Sequence, residues 1–304
     1  MSRYQLIGRL EAAHPVRDLC RLLGVSRTAY YRWRRGGSHH PSASRRAQAK
    51  RVEAVFREHR RRYGSRRITA ELNQRGEKTG RHRVRTLMKQ QGLQAIQPKS
   101  FLPKTTDSGH GGRSSPNLLF DAQGVFLGVP LAPDRVWVSD ITYLPLATDG
   151  FGYLAVWLDL FSRMIVGWQV CQTMDETLVI RALRKGLQQR KPSAGLILHS
   201  DRGGQYVSGK LRELMAGWHC RQSMGRAGEV YDNAFSESLF ARFKCELLEG
   251  GAFSHLDDAR SEIFDYIESY YNRKRRHSSL GYLTPLEYES QYHQSVQLQE
   301  KCKP

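Results

Sequence analysis

The spacing of apolar residues changes character along this chain of 304 residues. Up to about residue 95, apolar residues recur three and four positions apart in short segments that end at glycines, which is the period of an amphipathic helix. From about residue 135, apolar strand-like runs alternate with helical segments, which is typical of an α/β domain. The pattern therefore predicts a multidomain protein in which all-α modules precede an α/β domain.

Residues 1–37 are predicted to contain a helix-turn-helix. Leu22 and Leu23 close the first helix and Gly24 turns the chain. Ser26 is placed to cap the second helix. That helix would present three side chains to a DNA groove, namely Arg27, Thr28 and Arg32. On these residues alone, a helical hairpin whose arginines only face water is an equal alternative.

A second basic helical module is predicted over residues 45–96. Val52, Val55 and Phe56 repeat at helical spacing, and two further helices are expected to begin near Ser65 and Thr79. The side chains of this module that we expect to face DNA are Arg66, Arg67, Arg81, Arg83 and Arg85. Two consecutive basic helical modules are explained better by a two-part DNA site than by chance surface charge.

The positive charge of the chain is concentrated in its first third. Residues 1–115 hold 27 Lys and Arg against 7 Asp and Glu, a net +20, whereas the remainder carries 21 against 22, a net −1. Such a concentrated positive field favours a polyphosphate partner. Charge alone would equally fit a solvated surface or a disordered arm.

Several classes of protein are disfavoured by composition. The 5 cysteines are an odd number without the short spacing of a zinc site or a disulfide framework. No run approaches the roughly 18 apolar residues of a membrane span, so we expect no membrane association. The expected location is the cytoplasm, in the compartment that holds DNA.

Residues 97–134 are rich in Pro, Gly, Ser and Thr and are predicted to form a mobile linker, in which the apolar patch Leu118–Phe120 can dock on a neighbouring surface.

The domain from 135 to 290 is predicted to hold three antiparallel strands, then alternating helix and strand, then a long helix. In order, the predicted segments are strands at 135–140, 152–160 and 164–171, a helix at 175–190, a strand at 195–200, a helix at 208–217, a strand at 220–223, and helices at 232–248 and 255–273. Residues 291–304 are expected to be a tail.

Three carboxylates in this domain have the arrangement of a metal-dependent phosphodiester site. Asp140 and Asp201 each end an apolar strand-like run, and Glu237 lies in a helical pattern. Such residues can converge to hold a pair of Mg²⁺ ions through oxygen ligands, as in-line displacement at a phosphate requires. Lys244 follows Glu237 by about two helical turns on the same face, so its ammonium can reach the same phosphate.

Other charged residues near these positions are assigned different roles. Asp159 is expected to be a turn residue and Asp232 to cap the long helix. Glu246 is expected to lie on the surface. The cluster after the last predicted helix, made of Arg273, Lys274, Arg275 and Arg276, is expected to contact the DNA backbone, with a solvated charge run as the alternative.

Whole phrases of the sequence match one known family. They are Trp137–Tyr143, Leu158–Arg163, His199–Tyr206, Tyr231–Ser238 and Tyr271–Tyr282, with Leu23–Arg27 and Tyr63–Ile68 in the first third. In these phrases the chain resembles the DDE transposases of bacterial insertion sequences, in particular the open-reading-frame-B protein of the insertion sequence three family. The resemblance implies a ribonuclease H-like (integrase core) fold, a metal-binding triad of Asp140, Asp201 and Glu237, and Lys244 as the basic residue that follows the triad.

The resemblance also implies a bacterial protein that associates with the nucleoid, and it implies an activity. Double-stranded DNA at the terminal inverted repeats of the element would be cleaved and joined to target DNA, with Mg²⁺ as cofactor, two ions being expected, and Mn²⁺ as a substitute. Because two ends must be held together, a homo-oligomer of two or more copies is expected, with the upstream open-reading-frame-A product as a protein partner. Two alternatives stay open: a ribonuclease H-like nuclease that only hydrolyses, and a non-catalytic helix-turn-helix regulator.

Overall fold

The computed structural model describes residues 2–36, 42–97, 115–121, 123–148, 150–226, 234–249 and 251–301. Within 234–249, side chains are described from Ser238 onward. The chain divides into two compact units, Met1–Gln94 and Ala95–Pro304. The first unit contains the predicted all-α modules and the second contains the predicted α/β domain.

The first three helices of the N-terminal unit form a small cluster. They are α1 (Arg3–Leu10), α2 (Val16–Leu22) and α3 (Arg27–Arg34). They enclose Ile7, Leu19, Cys20 and Tyr30, all of which are buried. Gly24 makes the turn between α2 and α3 at a φ of +60°, a conformation that glycine adopts without strain. The two predicted helices and the turn at Gly24 are present as α2 and α3, and α1 was not predicted.

The second part of the N-terminal unit is a three-helix module. Its helices are α4 (Ala43–Glu58), α5 (Ser65–Gln74) and α6 (Arg81–Gln90). Val52, Val55 and Phe56 are buried as their spacing predicted. Gly64 and Gly80 occupy the N-cap positions of α5 and α6, so the two helices begin at Ser65 and Arg81, close to the predicted starts.

The second unit is built on a mixed five-stranded sheet. Its strands are β1 (Val136–Leu146), β2 (Gly150–Asp159), β3 (Ile165–Cys171), β4 (Ile197–Ser200) and β5 (Arg221–Met224), in the spatial order β3-β2-β1-β4-β5. β1, β2 and β3 are antiparallel, and β4 is parallel to both β1 and β5. Helices α7 (Glu176–Arg190) and α8 (Gly209–Gly217) join the later strands. The predicted ribonuclease H-like order is confirmed.

β1 is longer than predicted and extends six residues beyond Asp140. Residues 141–146 pair with 150–155 of β2 as a continuous antiparallel hairpin. Alternating buried and exposed residues in this extension, such as Leu144 and Tyr143, favour a strand over a loop. Asp140 therefore lies inside a strand rather than at its end.

Three helical segments complete the second unit. Helix α9 (Ala234–Leu248) packs against β1, and α10 (Leu256–Phe264) continues as a π-helical segment, Asp265–Tyr271. Helix α11 spans Pro285–Lys301, so the expectation of a tail from residue 291 is wrong for 291–301. Thr284 and Glu287 exchange hydrogen bonds at the start of α11, which is a capping box followed by a proline in the first turn.

Part of the predicted linker packs on the edge of the sheet. The Leu118 amide donates to Ser223 Oγ at 2.9 Å, and the Met224 amide of β5 donates to the Pro116 carbonyl at 3.3 Å. Leu119 is buried. The expected docking of this patch is confirmed, and the expectation of a mobile linker is wrong for 115–121. Residues 98–114 lie outside the described part of the chain.

Candidate active site

Asp140 lies within β1, and Asp201 lies at the matching position directly after the neighbouring strand β4. β1 and β4 pair in parallel up to Val138 and His199, a sequence offset of 199 − 138 = 61. The two aspartates have the same offset, 201 − 140 = 61, and each lies two residues beyond that pair. Neighbouring strands are about 4.8 Å apart, and residues two positions apart point to the same face. The fold therefore brings together two of the three predicted carboxylates.

The Asp201 carboxylate sits in a tight turn after β4. Its Oδ1 accepts a hydrogen bond from the Gly203 amide at 3.0 Å. A β-carbon at Gly203 would lie 3.1 Å from that same oxygen, so the absence of a side chain allows this close approach. Burial raises the pKa of Asp201, while the Gly203 hydrogen bond lowers it. The carboxylate is poorly solvated, and a nearby cation would stabilise its charged form.

Tyr206 lies near both aspartates, and the sequence analysis assigned it no role. Its hydroxyl is 2.9 Å from Ser139 Oγ, and its ring packs edge-on against Trp157. Burial raises the pKa of Tyr206 well above its usual range, and the carboxylates of Asp201 and Asp140 raise it further. The phenol therefore stays neutral and links the strand that carries Asp140 to the turn that follows Asp201. The available signal was its place in the phrase His199–Tyr206.

Lys244 is carried by α9, which packs on β1, and its side chain lies near Asp140. Its side chain is half-buried. Burial lowers the pKa of Lys244, and the Asp140 carboxylate opposes this shift. The ammonium group is thus within electrostatic range of Asp140, as the packing of α9 on β1 allows.

Glu237 belongs to α9, seven residues before Lys244, and its side chain lies outside the described residues. Asp232, the predicted cap of this helix, also lies outside them. Among the side chains that the structure describes, no group of three or more His, Cys, Asp and Glu could hold a metal ion. The described part of the candidate site is therefore the pair Asp140 and Asp201 with Lys244 beside it.

Asp159 is a turn residue, as predicted. It is fully buried at the end of β2. Its carboxylate accepts hydrogen bonds from the Asp134 amide and the Ser162 amide, both at 2.8 Å, and from the Ser162 hydroxyl at 2.9 Å. Burial raises the pKa of Asp159 and these hydrogen bonds oppose the shift, with a net value of about 6.

The C-terminal basic cluster divides into exposed and buried residues. Arg273 and Lys274 are exposed. Arg275 is 3% exposed and makes two short bonds to Glu246, which is itself 5% exposed. The predicted DNA contact of Arg275 and the predicted surface position of Glu246 are both wrong, because the two charges are buried against each other.

Arg276 also departs from the expected DNA contact. It is 7% exposed, and its guanidinium donates to the Tyr282 carbonyl at 3.0 Å. Glu287 of α11 is its acidic neighbour at 3.5 Å. Arg276 therefore holds the loop before α11 and offers DNA little surface.

In the helix-turn-helix, the predicted DNA-contacting residues are exposed. Arg27, Thr28 and Arg32 line one surface hollow together with Tyr31 and Arg35. They share one side of α3 and the turn after it, which is the arrangement a groove-binding helix requires.

The second module presents most of its predicted residues in the same way. Arg66 of α5 and Arg81, Arg83 and Arg85 of α6 are exposed. Arg85 lines a second hollow with His82, Thr86, Lys89 and Gln90. Arg67 is half-buried over the ring of Tyr63, at 5.6 Å from its centroid.

Among the described residues, no helix is long and apolar enough to span a membrane.

Comparison with known families matches both units of the chain. Models of an integrase core domain match residues 130–229 and 219–285, and a model of an HTH-like domain matches residues 43–101. The first two ranges include the sheet, both aspartates and α9. The chain is therefore an integrase-core protein with a helix-turn-helix-like module before the core.

Individual relatives match most of the chain. The transposase for insertion sequence element IS904 of Lactococcus lactis subsp. lactis (strain IL1403) is 39% identical, over 79% of this chain and 92% of that protein. The transposase InsF for insertion sequence IS3A of Escherichia coli (strain K12) is 36% identical, over 95% of this chain and 98% of that protein. The chain belongs to the insertion sequence three family of transposases.

One solved structure is similar at lower identity. The HTLV-2 integrase catalytic core domain in complex with magnesium, in its trimeric form, has a TM-score of 0.38 and 16% identity. The match covers 52% of this chain and 98% of that chain.

Proposed function

We propose that this transposase cleaves and joins DNA at the ends of its insertion sequence by polynucleotidyl transfer at the site formed by Asp140, Asp201 and Glu237. The observation that carries the proposal is the matched position of Asp140 within β1 and Asp201 directly after β4. Two carboxylates brought together by sheet register from distant parts of the sequence, with a half-buried lysine beside them, form a site for a phosphodiester.

The described carboxylates fit a divalent cation. Asp140 and Asp201 offer oxygen donors, which Mg²⁺ prefers, and burial leaves Asp201 in need of a compensating positive charge. We assign Glu237 as the third ligand because it lies on α9 with Lys244. When bound, one or two Mg²⁺ ions, or Mn²⁺ in their place, would activate the attacking oxygen and stabilise the leaving oxygen.

The other residues of the site act on the DNA and on the carboxylates. Lys244 would hold a phosphate oxygen next to the carboxylates, since its ammonium lies within range of Asp140. Tyr206 and Ser139 would fix the orientation of the two aspartates through their shared hydrogen bond. The substrate phosphate would thus meet the ammonium group of Lys244 and two carboxylates of fixed orientation.

DNA selection is assigned to the N-terminal unit. Exposed Arg27, Thr28 and Arg32 on α3, with the arginines of α6, would bind the terminal inverted repeats, and the core would bind the scissile phosphate and target DNA. A dimer or larger assembly would hold two ends at once. The product of the upstream reading frame is the expected protein partner.

Resolving joining from hydrolysis tests the reaction. Wild-type protein is incubated with Mg²⁺ and labelled DNA of the element end, and products are separated by length. Joined strands longer than the substrate are expected together with cleaved strands. Cleavage without any joined product would favour a nuclease, and end binding without either product would favour a non-catalytic regulator.

A further inference from the structure

Glu246 and Arg275 form a buried, bidentate ion pair between α9 and the segment that follows the π-helical turn. Arg275 Nη2 lies 2.6 Å from Glu246 Oε1, and Arg275 Nε lies 2.8 Å from Glu246 Oε2. The Tyr266 hydroxyl donates to Glu246 Oε2 at 2.9 Å. Both charged side chains are 4% exposed. Two parallel bonds between planar groups fix direction as well as distance.

This pair occupies the face of α9 that points away from the candidate site. Glu246 continues the buried stripe of Leu239 and Phe243, and Phe243 packs edge-on against Tyr266. Positions 237 and 246 are nine residues apart, which is about two and a half helical turns, so these two positions lie on opposite faces of an α-helix. Glu237 and Lys244 are separated by about two turns and share a face. Fixing the Glu246 face therefore sets the direction in which the Glu237 face points.

We propose that Glu246, held by Arg275 and Tyr266, is a positioning residue that orients α9 so that Lys244 and Glu237 face Asp140 and Asp201. The inference rests on the proposed function, because it concerns the geometry of that same site. Apolar contacts such as those of Leu239 and Phe243 would allow α9 to slide or turn slightly. A bidentate ion pair allows one register, and α9 spans the distance from this pair to the site.

A matched control is present in the same unit. Glu289 of α11 is a buried carboxylate, 4% exposed, and accepts hydrogen bonds from Arg190 of α7 at 2.7 and 3.0 Å. Neither α7 nor α11 carries a residue of the candidate site. Substitution of either glutamate by glutamine leaves a buried arginine without its full counter-charge, so both variants should lose stability.

The experiment compares full-length wild type, Glu246→Gln and Glu289→Gln. Four quantities are measured: the unfolding midpoint, the affinity for end DNA, the single-turnover cleavage rate at saturating end DNA and Mg²⁺, and hydrogen exchange of the α9 amides. Both variants are expected to have lower midpoints and unchanged affinity. Only Glu246→Gln should slow cleavage, on the order of 100-fold as for a small misplacement of reacting groups, and speed exchange in α9.

A second variant covers the case in which Glu246→Gln fails to fold. The double variant Glu246→Met with Arg275→Met removes both charges and leaves neither unpaired, so it should fold with near wild-type stability. Slow cleavage in this folded protein supports the positioning role. A wild-type cleavage rate in either Glu246 variant, or an equal rate loss in Glu289→Gln, would overturn it.

Failure of the proposed function gives a different result. If the wild type shows no cleavage in Mg²⁺, the proposed function is wrong, and hydrogen exchange still decides the structural part of the inference. Faster α9 exchange in Glu246→Gln but not in Glu289→Gln supports the orienting contact, and equal exchange in the two variants contradicts it.

Discussion

Asp140 and Asp201 each lie two residues beyond the last parallel pair of β1 and β4, Val138 and His199, with Asp140 still within β1 and Asp201 directly after β4. The register of the sheet alone brings their carboxylates together, although a hairpin, a helix and two strands separate them in sequence. Lys244 reaches the same point from α9.

Replacing Lys244 should separate phosphate positioning from metal binding. Lys244→Ala removes the cation beside Asp140 without removing a carboxylate, so joining should slow while end binding and Mg²⁺ affinity persist. Lys244→Arg should keep part of the rate because charge survives with a different reach. Strand-transfer rates are measured beside Lys210→Ala, a lysine exposed on α8 that pairs with Glu176. Equal rates for Lys244→Ala and wild type would show that Lys244 is a solvated residue that does not position the phosphate.

Deleting residues 1–94 should remove most of the DNA affinity. This unit carries the excess positive charge, and each phosphate contact that is lost should lower the slope of log affinity against log salt by about 0.9. Binding of end DNA by the full chain and by residues 95–304 is compared across salt concentrations. Unchanged affinity and slope in the shorter chain would contradict the division of roles.

Single substitutions in the N-terminal unit should separate sequence preference from general affinity. Arg27→Ala should weaken binding to end DNA more than to unrelated DNA, because Arg27 is exposed in the hollow at the start of α3. Arg57→Ala is the control, since Arg57 is exposed and pairs with Glu53 on α4. If both variants change binding to the two DNAs equally, α3 does not read the sequence.

Neighbouring residues of the C-terminal basic cluster should behave differently. Arg273→Ala combined with Lys274→Ala should weaken DNA binding and leave the unfolding midpoint unchanged, because both side chains are exposed. Arg275→Ala should lower the free energy of unfolding by about 3 to 5 kcal/mol, since it leaves Glu246 buried without its partner. Urea unfolding and end-binding assays on both variants check this. A stable Arg275→Ala protein with weak DNA binding would restore the original expectation for Arg275.

Titration of Asp159 should make stability depend on pH. Its folded pKa of about 6 lies above the value near 3.9 of an unfolded aspartate, so the folded state binds more protons between these values. The free energy of unfolding of wild type relative to Asp159→Asn should therefore fall by about 2 kcal/mol as pH rises from 4 to 7. Urea unfolding of both proteins across this range measures the difference. A difference that does not vary with pH would show that burial does not raise this pKa.

The sequence predicted the fold where local pattern decides the structure. Apolar spacing predicted the buried face of α4 and the sequence positions of strands β1 to β5, because these elements bury one face in their own unit. The missed helix α11 had a local signal as well. Thr284 and Glu287 make a capping box around Pro285, and the polar residues after it hid the helix.

The errors at the site have a different origin. Arg275 and Glu246 look like surface charges in sequence, since no local pattern shows that two distant charges are buried together. Tyr206 was overlooked because its partner, Ser139, is 67 residues away. The three carboxylates were predicted from their places in strand-like and helical segments and from their phrases, and Lys244 from its spacing after Glu237. Only the register of β1 and β4 explains why Asp140 and Asp201 lie close together.

Strand cleavage by wild type, Asp140→Asn and Asp201→Asn tests the central claim most directly. End binding is measured on the same samples, with Asp257→Asn, an exposed aspartate of α10, as the control. Cleavage and joining in Mg²⁺ should be lost in both site variants and kept in the control, while all four proteins bind end DNA alike. Full cleavage by Asp201→Asn in Mg²⁺ would contradict the assignment of the matched aspartates as the active site.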